Sequence, residues 1–332
     1  MTIKEIIAKG SALTLALTIS AVPAYAAAGD KDQSISIIDI AGHEVPVPKG
    51  GLYDRYRSNP PLSVIAQEAP DIDLSWFETI KKEKVDAGFE TYSPNFYYKN
   101  TRITGVFTAD LDRLKALMPQ AVLETVEPLQ IFPGRGLVAL TAYAYHYCDN
   151  DSYNEIALSI ITSEPGESSW GPFTLIGQSA SKDYWGYVLK LPVDTELARV
   201  RGVVGYNLPK WLTPITYTQD ADAISFEIID SNSGKTDLVI TGEKLDDLSR
   251  GEELVTNSFT NLDAHGQLIS GYAVSRQLSY ASTMNDDAMT LTLSDGSLSQ
   301  YLKSLDLGEM VKYEYVPDFQ SALYTPKPLN IQ

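Results

Sequence analysis

The sequence predicts an α+β fold, mainly antiparallel β, centred on a curved or closed sheet with a few short helices. Three observations predict it. Residues 137–147 (L-V-A-L-T-A-Y-A-Y-H-Y) alternate strictly, with Thr141, Tyr143, Tyr145 and Tyr147 on one face and Leu140, Ala142, Ala144 and His146 on the other. Alternating segments then follow one another at 213–218, 223–229 and 236–241, the last two joined by the turn residues Ser231, Asn232, Ser233 and Gly234. Helical periodicity, by contrast, is confined to short stretches such as 110–118 and 297–304.

In chain order, residues 1–26 read as a secretory signal peptide. Lys4 and Lys9 precede an apolar run at 12–22, and Ala24-Tyr25-Ala26 fits the small-x-small cleavage rule. The expectation is an exported protein, periplasmic or secreted, without a membrane anchor once the signal is removed. Residues 27–95 read as an N-terminal extension packed on the main domain. They hold a short strand at 36–40, a turn at 41–44, an irregular Pro- and Gly-rich stretch at 46–61 and a short helix within 74–82. The main domain spans 96–332. It opens with a strand at 102–107 and a helix capped by Asp110 and stopped by Pro119. After the 137–147 strand, its small-residue face suited to a crowded interior or a pocket, comes an apolar strand at 153–161 that begins with a carboxylate, Glu155. A strand at 184–191 leads to a helix capped by Asp194 and ended by Gly202 or Gly205.

The chain carries a formal charge of −17. A surface so acidic repels nucleic acid and anionic lipid, so neither is an expected partner. The single cysteine, Cys148, excludes an internal disulfide. His43, His146 and His265 lie far apart with no metal-ligand spacing, and no metal site or cofactor is expected. No Gly-rich phosphate loop or nucleophile-elbow serine is present.

Residues 202–212 (G-V-V-G-Y-N-L-P-K-W-L) stand apart chemically, because they set one cation, Lys210, among apolar and aromatic neighbours. Pro209 fixes its own φ and biases Leu208 towards extended backbone, so Lys210 is presented stiffly. An amine attacks a ketone only when unprotonated, and a free lysine has a pKa near ~10.4. Burial among apolar groups lowers it by up to ~3–5 units. Gly202, Pro209 and Lys210 have the spacing of the core motif of the acetoacetate decarboxylase family, and Tyr153-x-Glu155 resembles the Tyr-x-Glu that opens the family's active-site strand. The sequence therefore resembles that family, most clearly over 102–245. Two features depart from it: Trp211 replaces the family's second lysine, and a further acid on the preceding strand is absent.

The resemblance implies a β-barrel-like core enclosing the lysine. It implies an imine at Lys210, a catalytic Glu155 that acts on substrate and not on folding, and contributions to substrate binding from Arg102, Tyr153 and Trp211. It also implies a small β-keto or oxo acid as substrate, decarboxylated without a cofactor, and leaves open a homo-oligomer. Three other readings are compatible with the residues: an aldol- or dehydratase-type imine enzyme, an exported carrier that holds a small ligand without catalysis, and a structural role.

Overall fold

The computed structural model describes residues 34–330; the signal-peptide assignment lies outside the described residues. The chain begins with a hairpin, β1 (Ile35–Ile40) and β2 (His43–Pro48). Three short helices follow, α1 (Leu52–Tyr56), α2 (Leu62–Glu68) and α3 (Ser75–Glu78), and then a second hairpin, β3 (Glu83–Asp86) and β4 (Glu90–Ser93). The 46–61 stretch is more regular than its Pro and Gly content suggests. Leu52 and Tyr53 are buried, and burying them drives one helical turn that Arg57 ends in a left-handed conformation (φ 50°).

The main body then runs β5 (Asn95–Asp110), α4 (Leu111–Leu117), α5 (Gln120–Leu123), β6 (Gln130–Phe132), β7 (Arg135–Cys148), β8 (Tyr153–Ile161), α6 (Pro172–Ser181) and β9 (Asp183–Val193). It continues with α7 (Glu196–Tyr206), β10 (Lys210–Leu212), β11 (Ile215–Gln219), β12 (Ala223–Ile229), β13 (Thr236–Glu243), β14 (Glu253–Leu262), β15 (Leu268–Thr283), β16 (Met289–Leu293), α8 (Ser297–Ser304) and β17 (Met310–Pro328). Seven strands close into a barrel in the order β9-β14-β15-β17-β5-β7-β8 and back to β9. Every pair in the ring is antiparallel except β14 with β9. A four-stranded antiparallel sheet, β11-β12-β13-β16, lies against one flank.

The alternation of β7 is resolved by this second sheet. Leu140, Ala142 and Ala144 pack outwards with Ile156 and Leu158 of β8 against Phe226 and Ile240 of the flanking sheet, forming the largest apolar core. The opposite, tyrosine-bearing face turns into the barrel, where Tyr97, Tyr145, Tyr153, Val316 and Phe319 meet. The small-residue face therefore fills a crowded sheet-to-sheet core, the first of the two settings its sequence suits, and it is the tyrosine face that lines the barrel interior.

Residues 34–94 wrap the barrel at the end where α7 lies. Ile38, Ile40, Val45, Val47 and Tyr53 pack on Leu197 and Val200 of α7. Phe77 packs on Phe96 and Tyr98 of β5, with ring centroids 4.8 and 5.0 Å away. A buried ion pair pins this layer: Lys82 Nζ lies 2.5 Å from Asp149 Oδ2, while Asp149 also accepts from Phe96 N (2.6 Å) and from the Tyr98 hydroxyl (2.7 Å).

Helix α7 differs from its predicted limits. It is capped by Thr195, whose side chain accepts from Ala198 N, and it passes both glycines before Asn207 ends it with φ 48°. Asp194 serves a different purpose, accepting from Asn154 N and Nδ2, both at 2.8 Å. Burial pushes the Asp194 carboxyl up to about 6, against the lowering effect of its Asn154 hydrogen bonds. Between about pH 4 and 6 the folded state thus holds the proton more tightly than the unfolded chain, and this group's contribution to stability falls as pH rises through that window. Across pH 4 to 7 the wild type should lose up to about 3 kcal/mol relative to Asp194→Asn, measured by urea unfolding. Parallel pH profiles for the two proteins would show that Asp194 does not titrate in this way.

Candidate active site

Three ring strands place one row of side chains across the barrel interior. Arg102 of β5 is the cross-strand partner of Tyr143 on β7, and Tyr143 is the partner of Glu155 on β8. Lys210 reaches this row from outside the ring. β10 adds in parallel to β9, Lys210 opposite Leu191, through the α7 crossover. Between helix and strand the chain turns tightly, with Leu208 N on Gly202 O (3.1 Å) and Lys210 N on Leu208 O (2.8 Å) on either side of Pro209.

That turn folds the lysine stem back over α7 at Gly202. A Cβ at position 202 would lie 2.5 Å from Lys210 Cε and closer still to Cδ, so any side chain there would displace the lysine. The Gly-to-Lys spacing read in the sequence is thus a steric requirement. The stem ends with Nζ 2.5 Å from Glu155 Oε2, both side chains more than nine-tenths buried. The Tyr153 ring lies 5.7 Å from the ammonium, the Tyr145 hydroxyl donates to Glu155 Oε1 (3.4 Å), and the Tyr97 and Tyr153 hydroxyls are 3.0 Å apart. Burial, reinforced by the nearby Glu155 charge, holds all three phenols well above their ordinary pKa, so they remain O–H donors at neutral pH.

The structure brings Lys210, Glu155 and Tyr153 into contact. Arg102 shares their row but is engaged elsewhere: it lies 3.6 Å from Glu314 and over the Phe319 ring. Burial pushes the Glu314 carboxyl up, yet Arg102 and Lys312 outweigh it and hold that group below the usual range. Trp211 is not brought to the site. It packs on the outer core, with the Lys190 ammonium 6.0 Å from its ring, because consecutive residues of an extended segment face opposite ways.

A cavity of about 20 Å³ adjoins the lysine, lined by Tyr97, Tyr153, Arg201, Tyr206, Leu208 and Lys210. It has room for one water-sized group. Several residues around Lys210 and Glu155 have no signature in the sequence. Tyr97, which lines the cavity, and Tyr145, which holds Glu155, resemble any strand tyrosine, and Arg201 resembles any helix arginine. Among the described residues no group of three or more His, Cys, Asp or Glu side chains could hold a metal, and no helix is long and apolar enough to cross a membrane.

No protein-family model matches the sequence, and no curated protein matches it. Solved structures match in fold. Acetoacetate decarboxylase from Legionella pneumophila superposes with a TM-score of 0.51 at 12% identity, over 72% of this chain and 87% of that one. The enduracididine biosynthesis enzyme MppR, in complex with pyruvate, superposes with a TM-score of 0.50 at 13% identity, over 72% of this chain and 91% of that one. The chain has the fold of acetoacetate decarboxylase and its enzyme relatives.

Proposed function

We propose that this protein is an imine-forming enzyme acting on a small oxo acid, with Lys210 as nucleophile, Glu155 as proton carrier and decarboxylation of a β-keto acid as its reaction. The observation that carries the reading is the buried contact between Lys210 Nζ and Glu155 Oε2 at 2.5 Å. A nucleophilic amine needs a partner that removes its proton without water, and Glu155 is in contact.

The steps follow from that contact. Glu155 takes a proton from the ammonium, and the free amine adds to the ketone carbon. The resulting carbinolamine loses its hydroxyl as water, with a proton returned by Glu155, to leave an iminium. The electron pair of the C–CO2 bond then moves to the iminium nitrogen, releasing carbon dioxide and an enamine. Protonation of the enamine carbon and hydrolysis restore the lysine. Tyr153 walls the ammonium on its ring face, and Tyr145 holds the second oxygen of Glu155. The cavity has room for only one water-sized group, so acetoacetate, the smallest β-keto acid with a ketone, enters only if the lining moves apart.

A second reading draws on the pyruvate complex of MppR. With an α-oxo acid the same iminium loses a methyl proton to give an enamine that condenses with an aldehyde. Borohydride reduction in the presence of acetoacetate, pyruvate or acetylacetone tests both readings. The peptide containing Lys210 should gain the mass of the reduced adduct, and released carbon dioxide then separates decarboxylation from condensation. No adduct with any carbonyl compound, or adducts confined to other lysines, would rule out both imine readings and leave a carrier or a structural role.

A further inference from the structure

A second cation lines the same cavity, and nothing in the reaction above uses it. Arg201, on α7 one residue before the glycine that cradles the lysine stem, is 3% exposed. Its Nη1 donates to the Ser58 hydroxyl and its Nη2 to Asn95 Oδ1 (3.2 Å). Its Nε has no hydrogen-bond partner, and it forms no ion pair with any described carboxylate. The aromatic rings of Tyr53 and Phe89 cover its plane at 5.1 and 5.7 Å. The neighbouring carboxylate, Asp149, is already occupied by Lys82, Phe96 N and the Tyr98 hydroxyl. Asn95, 1% exposed and also lining the cavity, leaves its Nδ2 without an acceptor. Asn150 lines it too and has an unpartnered Oδ1; an amide flip would present its Nδ2 instead.

A buried guanidinium with no carboxylate is costly, and so is each buried donor without an acceptor. An anion in this cavity would relieve both costs at once. Arg102 offers a poorer anion site, because Glu314 already neutralises it. We infer that Arg201 and Asn95 form an anion subsite that binds the carboxylate of the oxo acid whose carbonyl reacts at Lys210. This deepens the imine reading and rests on it for the identity of the acid. It also answers how an acidic protein would take an anionic substrate: a sheltered local cation outweighs the distant surface charge at short range.

The subsite can be tested without the imine. In Lys210→Met/Glu155→Gln no imine forms and no charge is left behind at that pair. Calorimetric titration of this full-length variant should show binding of acetoacetate but not of its methyl ester. Adding Arg201→Met should weaken acetoacetate binding about tenfold or more. If Arg201→Met does not fold by circular dichroism, Arg201→Lys takes its place and should also weaken binding, since it loses the planar fork. Chloride binding without acetoacetate binding would overturn the proposal in favour of an inorganic anion. So would equal binding of acid and ester, no binding, or a loss of acid preference on Arg102→Met and not on Arg201 substitution. Acetoacetate binding in this variant with no borohydride adduct in the wild type would uphold the subsite and sink the imine reading instead.

Discussion

Lys210→Met should abolish borohydride-dependent labelling and turnover, and it should also destabilise the fold. The lysine is ion-paired inside the barrel, with both partners more than nine-tenths buried. Removing one member of a buried pair leaves the other uncompensated, typically at a cost of about 3–5 kcal/mol. Glu155→Gln should therefore destabilise as well, contrary to the sequence-based expectation that Glu155 acts only on substrate. It should also cut kcat/KM at least about tenfold, roughly 1.4 kcal/mol, because the amine loses its proton acceptor. The double variant removes both charges and should recover most of the lost stability, so the two single losses should not add. Denaturant unfolding of the four proteins reads the coupling directly. Additive losses would mean that the pair does not form in solution.

The second large effect is expected far from the chemistry. Lys82→Met should lower stability by about 3–5 kcal/mol, because Asp149 would then sit wholly buried without its cation. Burial lowers the Lys82 pKa even with Asp149 beside it, so desolvation is the larger influence at this pair. A surface pair supplies the control. Lys84 and Glu90 are 2.6 Å apart but more than half exposed, and Lys84→Met should cost at most about 1 kcal/mol. Equal small losses at both positions, measured by urea unfolding, would show that Lys82 does not pin residues 34–94 to the barrel.

The sequence disclosed most where local rules govern. Asp110 caps α4, the turn at 231–234 joins β12 to β13, and 297–304 is helical, each set by residues a few positions apart. Lys210 and Glu155 could be picked out from short motifs, but their contact spans 55 residues and depends on how α7 returns the chain to β9. The direction of the β7 faces was not legible, since alternation distinguishes two faces without saying which meets a second sheet. The end of α7 was misplaced because both glycines are tolerated inside the helix: one admits the lysine stem and the other lies near Ala87 and Phe89. Arg201 had no signature at all. What distinguishes it is the lack of a carboxylate partner, a property of its surroundings and not of its neighbours in sequence.

The ring of seven strands is joined by its own extremes: β5, its first strand, pairs with β17, its last, so that Asn95 faces Leu323. Such a closure has high contact order and a correspondingly large entropic barrier. A nascent chain that has emitted β5 through β15 still carries two unpaired borders, on β5 and on β15, and each is a template for strands of another chain. Those borders vanish together when residues 310–328 zip between them. Strand β17 is thus a keystone for solubility as well as for shape, and the site at Lys210 acquires its sealed surroundings only once this last strand of the ring is in place.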